Sequence, residues 1–380
     1  MRMKVLVGLS GGVDSAVAAY LLQQQGYEVC CCFMRNWDSA LNNDTLGNPT
    51  LNDDICPQES DYLDAVRTAE KLGLELRRVD YITEYWEHVF RNFVEEYGKG
   101  RTPNPDILCN KYIKFDSFLR YAMENGFDMI ATGHYFKRED RDGDVRFLKA
   151  FDRNKDQSYF LAQVSRDALA KSLFPLGDIT KPEVRRIAED LGIPVADKKD
   201  STGICFIGER NFREFLKNYL PMKEGDIIDL ADGKVIGRHQ GVYYYTLGQR
   251  KGFAVGGENG PYYCAGKDVK KNELYLTSHK DESFLYSDQA EIGGINWIRR
   301  PEEGPLQVKF RYRQEDQQVT LKHTGEDRVM LSYPQGIKAV TPGQQAVFYQ
   351  NDELLGGGVI EETFVCGESS AERLQKRLYG

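Results

Sequence analysis

The stretch Val5-Leu6-Val7-Gly8-Leu9-Ser10-Gly11-Gly12-Val13-Asp14-Ser15 decides how this chain is read. A short apolar run feeds a glycine-serine turn that opens directly into a helix-forming segment, Ala16 to Gln25. Gly11 and Gly12 carry no Cβ, so their N–H groups can approach an anion in backbone conformations closed to other residues. Ser10 and Ser15 add hydroxyl donors. The following helix aims its first N–H groups and the positive end of its dipole at the same spot, which makes phosphate the natural ligand. No lysine follows the glycines, so the pattern is neither G-x-x-x-x-G-K-[ST] nor G-x-G-x-x-G. The alternative is an ordinary strand-to-helix turn that binds nothing.

Outward from this loop, strand and helix signals alternate through the first two hundred residues. Lys4 to Gly8 leads into the helix, which closes near Gly26, and an apolar run follows from Tyr27 to Met34. A helix from about Ser60 to Leu72 ends at Gly73, as a C-cap glycine requires. Leu74 to Val79 reads as a strand, Thr83 to Tyr97 and Ile113 to Asn125 as helices, and Asp128 to His134 as a short buried strand. Such alternation specifies βαβ units: a doubly wound parallel sheet with helices on both faces. In that architecture ligands sit beyond the carboxyl ends of the strands, so Met34, Gly133 and His134 are expected to line the pocket that the glycine loop begins.

Thr180-Lys181-Pro182-Glu183 is a capping box with proline in the first turn, which opens a helix to about Leu191. A further helix runs from Asn211 to Tyr219. From Gly225 onward the turn signals Asp232-Gly233, Gly256-Gly257, Asn259-Gly260 and Pro342-Gly343 separate short β-rich segments, among them Gly241 to Thr246 and Ala346 to Tyr349. The expected division is an α/β domain over 1–209, a small β-rich domain over 210–283 and a barrel-like β domain over 284–380.

The 380 residues suffice for two or three cores. A net charge of −8 argues against wholesale coating of a polyanion but leaves room for a local stripe of Lys and Arg. No run approaches the roughly 20 apolar residues of a membrane helix, and the amino terminus lacks a signal-peptide core. The expectation is a cytoplasmic protein without a membrane partner, its cysteines in a reducing compartment. None of the eight cysteines forms a C-x-x-C pair, which gives a zinc site little support. Cys30, Cys31 and Cys32 lie in a buried-strand pattern and read as packing residues.

Two cysteines stand apart. Cys109 follows Arg101-Thr102-Pro103-Asn104-Pro105-Asp106-Ile107-Leu108, whose prolines and asparagine read as a stiff loop opening the helix from about Ile113. A thiol just before a helix amino terminus, near Lys111 and Lys114, is expected to have a lowered pKa. Cys205 lies in Gly203-Ile204-Cys205-Phe206-Ile207-Gly208, where a packed cysteine in a short strand is the plainer reading. Sequence does not bring the two sulfurs together.

Ser10-Gly11-Gly12-Val13-Asp14-Ser15 resembles the pyrophosphatase loop of enzymes that cut ATP between its α and β phosphates. With Asn104-Pro105-Asp106, Cys109-Asn110, Gly133-His134 and Gly203 to Gly208 in this order, the chain resembles the tRNA-specific 2-thiouridylase family over nearly its whole length. The resemblance implies ATP with Mg²⁺ as cofactor, adenylation of the C2 oxygen of the wobble uridine, and sulfur delivered from a Cys205 persulfide that a donor protein loads. Cys109 would be the partner thiol, leaving a transient Cys109–Cys205 disulfide for a reductant to reopen. Asp106 would act as acid or base, with helix capping as its other reading. Gly8, Leu9, Ser10, Gly11, Gly12, Val13, Asp14, Ser15, Met34 and Gly133 would bind ATP, and Asp14 would help hold Mg²⁺ or cap the helix. Asn104, Pro105, Asp106, His134, Lys155, Asp156, Gln157, Arg311, Tyr312 and Gln344 would contact the base or the anticodon stem-loop of tRNA, with Arg299, Arg300, Lys309 and Arg313 extending the basic zone. The competing readings are a small-molecule adenylating ligase or amidotransferase with the same loop, and a tRNA-binding protein without catalysis.

Overall fold

The computed structural model describes residues 2–380 apart from 54–55, 142, 201–202, 206, 208–209, 254 and 256–259. Phe206 and Gly208 of the second cysteine motif, the Gly256-Gly257 turn and Asn259 therefore lie outside the described residues.

The first half contains strands β1 (Lys4–Gly8), β2 (Glu28–Arg35), β3 (Leu76–Asp80), β4 (Met129–Ala131), β5 (Phe136–Arg141), β6 (Asp144–Lys149) and β7 (Ser172–Leu173). Five of these form a parallel sheet in the order β3-β2-β1-β4-β7. The order reverses between β1 and β4, the switch point where such sheets open a crevice for a ligand. β1 is central, and Val5, Leu6 and Val7 are fully buried because helices cover both faces. Successive side chains point to opposite faces. Val5, Val7, Cys31 and Phe33 accordingly pack with Ala16, Val17, Ala18 and Ala19 of helix α1 (Val13–Gln24). Leu6, Cys30, Cys32 and Met34 pack on the other side with Val89, Phe90, Ile113 and Phe118. The three adjacent cysteines are thus core residues, and burial pushes the Cys30 thiol up to about 11 and Cys32 to about 12.

Helix α2 (Pro57–Leu72) ends at Gly73, whose φ of 67° is the left-handed C-cap its position predicts. The Thr180 capping box forms as read and starts the helix Lys181–Asp190. Two expectations fail: Gly241 to Thr246, read as β-rich, forms a 3-10 turn at Val242–Tyr244, and the helix placed from Ile113 begins eight residues earlier. Pro105–Cys109 is α-helical, Asn110–Ser117 is wound as a π-helix and Phe118–Glu124 is α-helical again. The Asn104 side chain accepts the Asp106 N–H, and Pro105 occupies the first helical turn. The residues read as loop formers are here a helix start, since asparagine at the cap and proline just inside it are both start signals.

Four strands, β8 (Gly225–Asp229), β9 (Val235–His239), β10 (Tyr262–Asp268) and β11 (Glu273–Ser278), make a middle sheet in the order β10-β11-β8-β9. Six more follow: β12 (Tyr286–Trp297), β13 (Gly304–Lys309), β14 (Gln317–His323), β15 (Val329–Lys338), β16 (Gln345–Gln350) and β17 (Glu353–Val365). They pair in the order β12-β15-β14-β13-β16-β17, and β17 returns to β12, which closes a barrel with no free edge. Alternation sorts β16: Ala346 and Phe348 fill the barrel, whereas Val347 and Tyr349 join the core of the first domain. Tyr159 donates its hydroxyl to the Gln345 carbonyl at 3.1 Å, and Gln163 donates to the Gly357 carbonyl at 2.7 Å, across the same seam. No helix among the described residues is long and apolar enough to cross a membrane.

The polar loop after β2 is fastened by a buried ion pair. Asp44 and Arg210 have side chains 0% and 4% exposed; Arg210 meets Asp44 Oδ2 at 2.9 Å, and the Trp37 indole donates to the same oxygen at 3.1 Å. Removing one partner leaves an uncompensated buried charge, which costs about 3–5 kcal/mol. Asp44→Ala is therefore expected to lower the thermal unfolding midpoint well below that of the parent, and calorimetry of the two proteins measures it; equal midpoints would show that the pair is not buried as described.

Candidate active site

The glycine loop is shaped by backbone contacts that admit no larger residue. Gly11 has φ +74°, and a Cβ there would stand 2.2 Å from the Asp61 carbonyl oxygen. Ser10 N–H donates to Ser15 Oγ at 3.1 Å, and Ser15 Oγ donates to the Gly12 carbonyl at 3.0 Å, which fold the turn over the start of α1. Gly133 follows β4 and lies against that start: a Cβ there would be 2.7 Å from Ser15 N and 2.8 Å from the Asp14 carbonyl carbon. Met34 reaches from β2 to the end of β1, its Cε 3.1 Å from where a Gly8 Cβ would sit. The loop residues Gly8 to Ser15, Met34 and Gly133 therefore share the crevice at the switch point.

Asp14 neither caps α1 nor faces open solvent alone. Lys181 Nζ binds both its oxygens, at 2.7 and 2.8 Å, and the Tyr135 hydroxyl donates to Oδ1 at 2.9 Å. Lys181 also meets Asp200 at 2.7 Å, and Asp200 binds Lys155 at 2.7 Å and Arg185 at 2.8 Å. Partial burial pushes the Asp200 carboxyl up, but the bonds from Lys155 and Lys181 outweigh it and hold its pKa at about 2. Lys198 Nζ donates to the Gly11 carbonyl at 3.0 Å and pairs with Asp61 and Asp64, each at 2.7 Å. The lysine absent from the loop's own sequence is thus supplied twice from far downstream. One signal was available: Lys181 sits in the first turn of its helix, where the dipole disfavours a cation, so an acidic partner was required.

The second cluster surrounds the two cysteines. Cys109 Sγ and Cys205 Sγ lie 3.8 Å apart, the Cys109 thiol donating. Asp106 Oδ1 accepts the Cys205 N–H at 3.0 Å, and the Tyr85 hydroxyl donates to the Cys205 carbonyl at 2.9 Å. Cys109 is fully buried, so its expected lowered pKa is corrected: burial and the neighbouring Cys205 sulfur push it well up. The lowered thiol is Cys205, because the hydrogen bond from Cys109 favours its anion against burial and the Lys114 ammonium adds to that. Burial raises the Asp106 carboxyl, partly offset by the Cys205 N–H. A buried thiol pushed up beside a second that is lowered is a pair suited to thiol–disulfide exchange.

Three family models match the chain in succession: the tRNA methyl transferase HUP domain over residues 3–209, the tRNA methyl transferase PRC-barrel domain over 213–278 and the aminomethyltransferase beta-barrel domain over 287–360. The chain is 55% identical to the tRNA-specific 2-thiouridylase MnmA of Mycoplasma capricolum over 372 residues, which cover 95% of this chain and 99% of that one. It is 50% identical to the protein of the same name from Acholeplasma laidlawii over 382 residues, with both chains covered in full. The chain belongs to the tRNA-specific 2-thiouridylase family. A solved structure, the U34-tRNA thiolase NcsA from Methanococcus maripaludis, aligns over 54% of this chain and 63% of that one at 19% identity with a TM-score of 0.32, a likeness that carries no argument.

Of the tRNA-contacting residues expected from the 2-thiouridylase resemblance, several are committed to internal bonds. Asp156 is buried and accepts from Ala150 N–H at 2.9 Å and from the Ser158 hydroxyl at 2.8 Å. Gln157 accepts the Tyr135 N–H at 2.9 Å. Arg311 bridges two domains, donating to the Leu247 carbonyl at 3.1 Å, the Ala339 carbonyl at 2.8 Å and Thr341 Oγ1 at 2.9 Å. Tyr312 rests on Phe160, ring centres 4.3 Å apart. Gln344 donates to the Thr102 carbonyl at 2.9 Å, which ties the barrel to the segment entering Asn104 and Pro105. His134 is buried, bonds Thr132 Oγ1 at 2.8 Å, and is kept neutral by burial and then by the charge of Lys114. In the wider basic zone Arg299 pairs with Asp144 and Glu353, so that part is charge-neutralised. His134 follows Gly133 in the chain, and its ring lies 5.8 Å from that of Phe115, the neighbour of Lys114.

Gly133→Ala places a methyl group against the backbone of the loop, and relieving such an overlap costs about 1–3 kcal/mol. If the loop is the nucleotide site, ATP affinity should fall roughly 5- to 150-fold, as measured by calorimetric titration. Unchanged affinity would remove the loop from nucleotide binding.

Proposed function

We propose that this chain replaces the C2 oxygen of the wobble uridine of tRNA by sulfur, at the expense of ATP, in the reducing cytoplasm. The observation that carries this reading is the approach of Cys109 and Cys205 to 3.8 Å beside the Asp106 carboxyl, in a domain whose glycine loop packs against Gly133. The loop N–H groups, Ser10 and Ser15 suit the phosphates of ATP, and Lys181 and Lys198 stand ready to balance their charge. Mg²⁺ is a hard cation that keeps oxygen ligands and enters with substrate phosphates, whose charge it offsets. Among the described residues no three metal-binding side chains gather into a cage. Asp14 would have to release Lys181 to reach the ion.

The uracil oxygen is a poor leaving group. Attack of the C2 oxygen on the α-phosphorus of ATP forms an O–P bond, expels pyrophosphate and turns that oxygen into the leaving group AMP. The N3 proton must depart with it, and Asp106, its pKa raised by burial, is the group suited to take and return it. A donor protein loads Cys205 with a persulfide. Cys109 then attacks the inner sulfur of Cys205: the Cys109–Cys205 bond forms, the S–S bond to the terminal sulfur breaks, and that sulfur takes the electron pair and the Cys109 proton and leaves as hydrosulfide. Hydrosulfide adds to C2, the C2–O bond breaks to release AMP, and the proton returns to N3. An external dithiol reduces the disulfide. The base must leave the stack of the anticodon loop to enter the pocket, with Asn104, Pro105 and His134 placed to receive it.

Cys205→Ser should reduce 2-thiouridine formation to background with a persulfide-bearing donor protein while pyrophosphate release on unmodified tRNA continues. Nucleoside analysis and a pyrophosphate assay on the same reaction check both halves. Thiolation by the serine variant would end this assignment.

A further inference from the structure

The helix carrying Cys109 changes its winding where the cysteine ends its first segment. Over Asn110–Ser117 it is a π-helix, seen in the bond from Phe118 N–H to the Ile113 carbonyl five residues back. In α winding the five positions from Cys109 to Lys114 span about 1.4 turns and point the two side chains to different faces. A π segment bonds each carbonyl five residues on and so widens its turn, which swings Lys114 back towards the face that bears Asp106 and Cys109. Such insertions cost hydrogen-bond geometry and persist where a site uses them. Lys111, four positions earlier than Phe115, is directed elsewhere: its Nζ donates to Gln163 Oε1 at 3.2 Å and lies 5.2 Å from the Tyr112 ring centre.

Lys114 is partly buried, and its charge acts on Cys205, Cys109 and Asp106. Among the described residues, the titratable groups around Cys205 are Asp106 on its N–H, Cys109 on its sulfur, Tyr85 on its carbonyl, and Lys114. Burial pushes the Tyr85 hydroxyl and the Cys109 thiol well up, so among these groups Lys114 supplies the positive charge near this sulfur. A compact ammonium with three donors suits a small soft anion that must later depart, since it imposes no bidentate geometry.

We propose that Lys114 is a catalytic residue, the resident counter-ion that keeps the sulfur on Cys205 anionic, as thiolate before loading and as persulfide anion afterwards. The role rests on the sulfur-transfer reading above, but its test does not need that reaction. Full-length protein, without ATP, tRNA or donor, is labelled with iodoacetamide across a pH series, and the rate at Cys205 is read by mass spectrometry of its peptide. The parent is expected to label with a midpoint below the ordinary thiol value of about 8.5. Lys114→Gln should move that midpoint up by about one unit or more and slow labelling at neutral pH roughly tenfold, and Lys114→Arg should restore most of both. A parent midpoint at or above the ordinary value overturns the proposal without any variant, and so does a folded Lys114→Gln protein with the parent's midpoint. A shifted midpoint in a parent that makes no 2-thiouridine would overturn the sulfur-transfer reading instead.

Discussion

The hydrogen bond from the Cys205 N–H to the Asp106 carboxylate, 3.0 Å long, joins segments 99 residues apart. With Tyr85 on the Cys205 carbonyl it fixes the backbone on both sides of one sulfur, so the position of that sulfur follows from two backbone bonds. The bond also explains how Asp106 stands partly buried although ionisable: a carboxyl withdrawn from water is tolerated where it is hydrogen-bonded. Its partner segment is held in turn by Asn104, which caps the helix and sets the direction of Asp106 and Cys109. Sequence-local chemistry thus produces the long-range contact on which sulfur transfer would depend.

Around the nucleotide loop the same logic operates with charge. Lys181 and Lys198 are each satisfied by two carboxylates in this structure, and each of them is close to the glycine turn. A polyphosphate entering the cradle competes with these carboxylates for the same ammonium groups, so pairing energy already present can be exchanged for pairing with the ligand. Gly133 packs against this charged region, and the ring of the next residue, His134, lies 5.8 Å from that of Phe115 on the helix that carries Cys109.

Much of this was legible in the chain. The glycine turn, the doubly wound sheet, the Gly73 C-cap and the Thr180 capping box all rest on local rules, and local rules survive folding. The cysteine run at 30–32 was readable for the same reason, since strand alternation decides which face each thiol occupies. What could not be read depends on tertiary placement. The prolines around Asn104 serve loops and helix starts alike, and only the Asp106 N–H on the Asn104 side chain separates the two. The pKa of Cys109 was misjudged because burial, which outweighs helix position, is not a property of a motif. Arg311 and Asp156, expected as tRNA contacts, make bonds across domains and within a turn that depend on tertiary placement and leave no mark in the sequence. The π winding before Phe118 has no signature in residue type and sets where Lys114 points.

The account stands most directly on a count of bonds after one turnover. A single-turnover reaction, run with persulfide-loaded enzyme, ATP and unmodified tRNA but no added reductant, is quenched with acid and analysed for nucleosides and for linked peptides. The expected result is one Cys109–Cys205 disulfide for each 2-thiouridine formed, because the electrons that convert sulfane sulfur to sulfide come from these two thiols. Formation of 2-thiouridine with both thiols still free would contradict it.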